Sequence, residues 1–461
     1  MAKKAKTVFV CQECGYESPK WMGQCVCGAW NTFVEEKVLP ESKTKSLNPV
    51  HEKGIRAKAC PIKEISSDGT QDRIDTGIRE FNRVLGGGLV KGSLTLISGE
   101  PGIGKSTVIM QAADNISKKG YKVLYVSGEE SQIQLKMRAD RICSEISDNF
   151  LVIAESNIEN IIEVAEEVGA DMLIVDSIQT TYSGTLDSAP GSVSQVRACG
   201  SELMYFGKSR NVPILIVAHV TKSGELAGPK IVEHMVDCVL HFNGERNHEL
   251  RILRSFKNRF GTTSEIGAFE MGPGGLVEIE NLSKTFLEGA ESDKIGACIT
   301  AVYEGTRPLL LEVQALTAKT NAGFARRTSI GIDNTRVSMI LAVLERARGI
   351  SFMNQDIYVN VVGGLKPEGT YTDLGVAMAI YSSYRNIPVE RNTIILGEIG
   401  LSGEVRNIQN ADKIIKEAQR MGFSKIVLPY GNMAKIAPLK EDGIEFKGVK
   451  NIRDAIESCF Q

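Results

Sequence analysis

The sequence predicts an α/β fold, and three observations lead there. Short apolar runs (SLTLIS, KVLYVSG, FLVIAE, DMLIVDSI and VPILIVAHV) recur between Ser93 and Val220. Segments of helical character separate them, the pattern of a parallel sheet with crossover helices. One junction between a strand and a helix is a glycine-rich loop, SGEPGIGKST, from Ser98 to Thr107.

Bulk properties narrow the function. At 461 residues the chain has room for about three domains and can bury large cores without disulfide staples. Hydrophobic residues make up 42% of it and charged residues 24%, as in an ordinary globular protein. A net charge of -2 excludes a bulk positive field that would gather nucleic acid. Any DNA contact must come from local basic patches. The opening MAKKAKTVFV lacks the apolar run of a secretory signal, and no stretch is long enough to cross a bilayer. The expected location is the cytoplasm, with no membrane contact and with thiols reduced. The ten cysteines are then metal ligands or buried apolar residues.

The first element is CQECGYESPKWMGQCVCGAW. Cys11 and Cys14 form a C-x2-C pair; ten residues later come Cys25 and Cys27. Four soft thiolates suit tetrahedral zinc. Binding would supply about 10–16 kcal/mol toward folding so short a segment. Tyr16, Trp21 and Trp30 are expected to pack around the site. The second pair, C-x-C, is one residue shorter than the usual knuckle, which strains the turn that aims N–H groups at sulfur. A zinc finger is expected over residues 1–34. The polar, unperiodic stretch over 35–65 reads as a linker.

The second element, residues 66–281, holds the glycine loop. Its G-x4-G-K-[ST] pattern needs a strand before it and a helix after it, and both are present. Gly99, Gly102 and Gly104 let the backbone curl, with Glu100, Pro101 and Ile103 between them, so that N–H groups surround phosphate oxygens. The helix N-terminus, with Ser106 and Thr107, adds a favourable dipole. Lys105 is expected to reach the β- and γ-phosphates of ATP, and Ser106 to ligate Mg²⁺. Asp176 ends the apolar strand DMLIVDSI and is placed to hold the same ion. Glu129 or Glu130, just past KVLYVSG, would polarise the attacking water. Glu129 is favoured, although acids there also suit a helix N-terminus. His219 ends a strand and suits either a γ-phosphate sensor or a structural role.

Downstream lie AHVTKSGELAGPK and FKNRFG. Together with the cysteine segment, GEPGIGKST and DSIQT, these resemble the bacterial RadA (Sms) family over nearly the whole chain and in the same order. The resemblance implies a RecA-like ATPase core, related to ring helicases of the DnaB type. It implies recombinational DNA repair, with ATP-driven branch migration on single-stranded DNA in recombination intermediates. RecA recombinase is the implied partner and a homo-hexamer the implied assembly. It assigns Lys257 and Arg259 to a neighbouring subunit's γ-phosphate, acting in trans as an arginine finger does. From the residues alone, Asn258 and Gly261 fit a turn with solvated bases beside it. Lys222 and Lys230 are tentative DNA contacts on a glycine-rich loop, with Arg246, Arg251 and Arg254 as further candidates.

The third element, residues 282–461, is strand-like at PLLLEVQAL and DIYVNVVGGL and helix-like at RVSMILAVLERAR and TDLGVAMAIYSSY. TIILGEIGLSGEVR reads as a hairpin. The pattern looks like the α+β proteolytic domain of Lon. Such a protease needs a serine and a lysine within hydrogen-bond reach. The resemblance places Asp373 at the serine position and Asp412 near the lysine position. Lys413 is one residue off along a helix, turned about 100° away. No peptidase activity is expected, so the region reads as a scaffold. Arg326 and Arg327 are basic candidates for contact with DNA. The rival reading is a RecA-like signalling ATPase that binds protein partners and not DNA.

Overall fold

The computed structural model describes residues 6–13, 15–38, 61, 73–219, 231–244, 250–289, 294–320, 324–362, 367, 369–390, 392–436 and 443–460. The chain divides into two compact units, 1–279 and 280–461. Among the described residues, no helix is long and apolar enough to cross a membrane.

The first unit opens with a three-stranded antiparallel ribbon. Strand β1 (Lys6–Cys11) lies between β2 (Glu17–Ser18) and β3 (Phe33–Val38). The linker expected from residue 35 begins later, because Glu35–Val38 pair with Phe9–Lys6. Backbone ladder bonds hold that polar stretch, and apolar periodicity carries no trace of them.

Short strands β4 (Arg73–Ile74) and β5 (Leu89–Val90) flank helix α1 (Arg79–Leu85). Strand β6 (Leu94–Gly99) then feeds the glycine loop and α2 (Lys105–Lys118). The alternation continues through β7 (Val123–Ser127), α3 (Gln132–Ile142), β8 (Phe150–Ala154), α4 (Ile158–Val168), β9 (Met172–Asp176), α5 (Val193–Arg210) and β10 (Ile214–Val217). Helix α6 (Ile231–Met235) precedes β11 (Cys238–Asn243), β12 (Leu250–Asn258), β13 (Ile266–Gly272) and β14 (Gly275–Glu278). All nine strands from β6 to β14 share one sheet, ordered β14-β13-β12-β11-β6-β10-β9-β7-β8. The run from β11 to β8 is parallel, and β12–β14 extend it antiparallel.

Side-chain alternation builds the two layers. Ile97, Tyr125, Ile174 and Leu215 pack under α2 residues Val108, Ile109 and Ile116. Leu96, Leu124, Leu173 and Ile214 pack on the other face with Ile161, Val196 and Leu203. Burial on both faces explains why these strands read as continuous apolar runs. It also leaves the C-terminal strand ends as the open edge, where such sheets bind ligands.

The second unit is α+β. Helix α7 (Leu282–Leu287) precedes β15 (Ala297–Glu304), β16 (Arg307–Lys319), β17 (Arg327–Ile330), α8 (Asn334–Arg348), β18 (Gln355–Val361) and α9 (Asp373–Arg385). Then follow β19 (Thr393–Ile395), β20 (Glu398–Ile399), β21 (Val405–Arg406), α10 (Ala411–Arg420), β22 (Lys425–Pro429), α11 (Met433–Ile436), β23 (Glu445–Val449) and α12 (Ile452–Cys459). The main sheet is ordered β17-β18-β16-β15-β19-β22-β23. The hairpin expected over TIILGEIGLSGEVR is smaller than its sequence. Only β20 and β21 pair as a hairpin, while β19 joins the main sheet in parallel. Gly397 breaks the run: its φ is 155°, and a Cβ there would stand 2.8 Å from Val405 Cγ1.

Candidate functional site

The glycine loop leaves β6 with Gly99, Gly102 and Gly104 at φ values of 150°, 80° and 116°, a region costly for other residues. At Gly99 a Cβ would also meet the Phe242 carbonyl oxygen at 2.9 Å. Glu100 and Pro101 are exposed, Ile103 is buried, and Ser106 and Thr107 are half-buried in the first turn of α2. Lys105 is buried, and its Nζ donates to the carbonyls of Gly99 (2.8 Å) and Glu100 (2.9 Å). Burial pushes its amine down to about 8, against the pull of Asp176, Glu129 and Glu100. An ammonium so placed is matched to an anionic ligand in the loop.

The neighbouring strand ends carry the carboxylates. Ser127 and Asp176 are register partners in adjacent strands. Asp176 is buried, and the hydroxyl of buried Tyr125 donates to its Oδ2 at 2.6 Å. A buried carboxylate within electrostatic reach of Lys105 could hold a hard cation such as Mg²⁺, with Ser106 as a second candidate ligand.

The two candidate bases have different surroundings. Ser127 Oγ accepts from the N–H groups of Glu129 (3.3 Å) and Glu130 (2.9 Å), fixing the turn. Glu130 then turns to Arg138 of α3 in an ion pair. Glu129 turns the other way: its Oε1 accepts from Ser177 Oγ at 2.8 Å and lies 3.6 Å from His219 Nε2. Burial first, then the Lys105 charge, push the His219 imidazole down, while Glu129 and Asp176 oppose. Its Nδ1 is buried without a hydrogen-bond partner among the described residues.

The basic segment is elsewhere. Lys257 pairs with Val239 in the register of β12 on β11, and Asn258 with Cys238. Cys238 in turn pairs with Thr95, and Phe242 with Gly99. The N–H of Arg259 donates to Asp237 O, and that of Asp237 to Leu94 O. Arg259 is therefore level with the start of β6, five residues from Gly99, or about 17 Å at ~3.3 Å per residue. Lys257 is level with Leu96 through Val239, and its Nζ donates to the carbonyls of Glu233 (2.7 Å) and His234 (3.2 Å). Arg259 Nη1 lies 3.3 Å from Asp237 Oδ1, with its side chain 58% exposed.

The other letters of KNRFG are structural. Asn258 Nδ2 donates to the carbonyls of Val84 (3.3 Å) and Leu85 (3.2 Å) at the end of α1. A Cβ on Gly261 would stand 3.1 Å from Gly86 Cα.

In the ribbon, Cys11, Cys25 and Cys27 bring their sulfurs within 4.8 Å of one another. Cys11 and Cys27 are 3.9 Å apart, close to the ~3.8 Å that tetrahedral ligands at ~2.3 Å from zinc require. Cys14 lies outside the described residues. The short C-x-C turn closes through Gly28, whose N–H donates to Cys25 O at 2.9 Å with φ at 93°. The expected aromatic packing is corrected. Phe33, with Phe9 and Met22, packs on Cys11 and Cys25, Cys27 is exposed, and Tyr16 meets Phe33 edge-on. Trp21 and Trp30 are 54% and 68% exposed, because so small a ribbon has no interior to hold an indole.

Among the DNA candidates, Lys222, Lys230 and Arg246 lie outside the described residues. Arg251 is buried, which removes it as a surface contact, and Arg254 is half-buried. Arg326 and Arg327 are exposed at edge strand β17.

In the second unit, Asp373 is buried at the start of α9. Arg336 donates to it twice, from Nε at 2.9 Å and from Nη2, and the Ile399 N–H adds a third bond at 3.2 Å. Asp412 is exposed on α10. Lys413 Nζ is bonded to Tyr303 Oη at 2.6 Å.

Four contributors escaped the sequence reading: Tyr125, Ser177, Asp237 and Arg336. Ser177 had a signal, its place directly after Asp176 in DSIQT. Tyr125 had a weaker one, a lone hydroxyl in an aliphatic strand. Asp237 and Arg336 act across folds that no local pattern reveals.

The fold and site define a RecA-like P-loop ATPase, with a metal-binding ribbon before the core and a Lon-protease-like unit after it. Family models agree: a rubredoxin metal binding domain matches residues 9–35, an AAA domain 63–225, and subunit ChlI of Mg-chelatase 319–432. DNA repair protein RadA of Bacillus subtilis (strain 168) is 47% identical over 99% of both chains. That of Listeria monocytogenes serovar 1/2a is 46% identical over 100% of both. Among solved structures, the RadB recombinase matches 45% of this chain and 100% of its own, at 20% identity and a TM-score of 0.37. The chain belongs to the DNA repair protein RadA family.

Proposed function

We propose that this protein is a DNA-stimulated ATPase motor of recombinational repair. It acts as a homo-hexameric ring on single-stranded DNA in recombination intermediates, driving branch migration alongside RecA recombinase. The observation that carries the joint between copies is the distance between the two charged ends of β6. Arg259 is level with Leu94, too far down β6 from its own P-loop to touch a nucleotide there, and Lys257 Nζ is taken up by the carbonyls of Glu233 and His234. A neighbouring copy's loop is the partner that fits them.

Lys105 and the loop N–H groups bind the β- and γ-phosphates. Ser106 and Asp176 would hold Mg²⁺, which neutralises charge on the phosphate oxygens. Glu129 takes a proton from water as the water oxygen bonds to the γ-phosphorus. The bond from that phosphorus to the β–γ bridging oxygen breaks, giving ADP and phosphate. Lys257 and Arg259 of the adjoining copy stabilise the charge that develops. His219 leads directly into the segment with Lys222 and Lys230, which we assign to the DNA backbone. The ribbon holds zinc through Cys11, Cys14, Cys25 and Cys27. The C-terminal unit is a scaffold without peptidase activity, since a buried, arginine-bound aspartate cannot act as a serine nucleophile.

ATP turnover measured with and without single-stranded DNA tests this reading. Turnover should rise with DNA, and a Lys222→Ala, Lys230→Ala double variant should lose that rise. Turnover indifferent to DNA but raised by a protein partner would favour the signalling ATPase instead.

A further inference from the structure

Ser177 follows Asp176 at the end of β9 and is fully buried. Its hydroxyl donates to Glu129 Oε1 at 2.8 Å. The backbone that carries it is pinned from both sides. Its carbonyl accepts from Thr180 Oγ1 (2.9 Å) and Thr181 Oγ1 (3.0 Å). The next N–H, that of Ile178, reaches Val217 O on β10 at 3.1 Å.

Glu129 is held at its backbone, where Ser127 Oγ accepts its N–H at 3.3 Å, a bond that leaves the side chain to turn. It stands on a turn beyond β7, with its side chain 47% exposed, and a long carboxylate there has many rotamers to sample. His219 Nε2, at 3.6 Å from the same oxygen, is beyond normal hydrogen-bond length. A donor held by two strands therefore fixes an acceptor held by a loop.

We infer that Ser177 is a positioning residue for ATP hydrolysis: its hydroxyl ties down Glu129 Oε1 and leaves Oε2 to take the proton from water. This rests on Glu129 being the base. Ser177 keeps its own proton throughout. The proton from water goes to Glu129, and the bonding pair of the cleaved P–O bond leaves with ADP. The gain is orientation, since a base acts only within hydrogen-bond reach of the proton it takes.

The test uses the full chain with its DNA activator. In Ser177→Ala, kcat should fall about ten-fold, the worth of one hydrogen bond to a charged group. KM for ATP, affinity for a non-hydrolysable ATP analogue and Tm should stay near wild type. Ser177→Cys, with a weaker donor of similar size, should fall between. In a Glu129→Gln background, Ser177→Ala should cost almost nothing more, because both changes remove one device. An unchanged kcat in Ser177→Ala overturns the inference. So does a loss of kcat that tracks a loss of nucleotide affinity or Tm. Wild-type turnover in Glu129→Gln is a different failure, one that removes the base assignment itself.

Discussion

Two buried aspartates, one in each unit, show how the same side chain serves opposite ends. Asp176 ends a parallel strand, and a neutral tyrosine hydroxyl takes one of its oxygens. Asp373 starts a helix, and a guanidinium fork with a backbone N–H takes both. The first is bonded by an uncharged group and lies within electrostatic reach of Lys105. The second is neutralised internally and has nothing left for a ligand. A carboxylate in a cleft is therefore read from what already holds it, more than from its burial.

The sharpest break between the regions is at Lys105. Lys105→Ala should lower phosphate release at least about a thousand-fold, with the fold intact by circular dichroism. Normal turnover there would dissolve the site. The next contrast is between adjacent acids. Glu129→Gln should cost on the order of 10²- to 10⁴-fold in kcat. Glu130→Gln should cost far less, because Glu130 is spent on Arg138. Equal losses would erase the distinction that the geometry draws.

The aspartates themselves give the smaller test. Asp176→Asn should cost about 10²- to 10³-fold in turnover and little stability. Asp373→Ala should do the reverse. It strands Arg336, a quarter exposed, and so costs about 2–3 kcal/mol on denaturant unfolding, with turnover per folded chain nearly unchanged.

Much of this was legible in the sequence, and the limit is physical. The P-loop is local, so its spacing announced Gly99, Gly104 and Lys105 together. The parallel strands announced themselves because burial on both faces makes them uniformly apolar. The sequence favoured Glu129 over Glu130 but held no local reason for it, since their difference lies in Ser177 and Arg138, partners brought in by the fold. The same holds for Asp373, whose partner Arg336 is 37 residues away. KNRFG mixed two roles in five letters. Asn258 and Gly261 close on α1, while Lys257 is level with Leu96 and Arg259 with the start of β6, and only register separates the two roles. The polar end of β3 was lost to the linker because backbone pairing leaves no mark in side chains.

The most direct measurement is a mixing experiment. Lys105→Ala protein, with a dead loop but intact basic residues, is titrated into Arg259→Ala protein, with an intact loop but no finger. ATP turnover of the mixture should rise above that of either variant alone and pass through a maximum with ratio, because hybrid joints pair an intact loop with an intact finger. Turnover that stays at the sum of the two variants at every ratio, in assemblies shown to exchange subunits, would contradict a nucleotide held between copies.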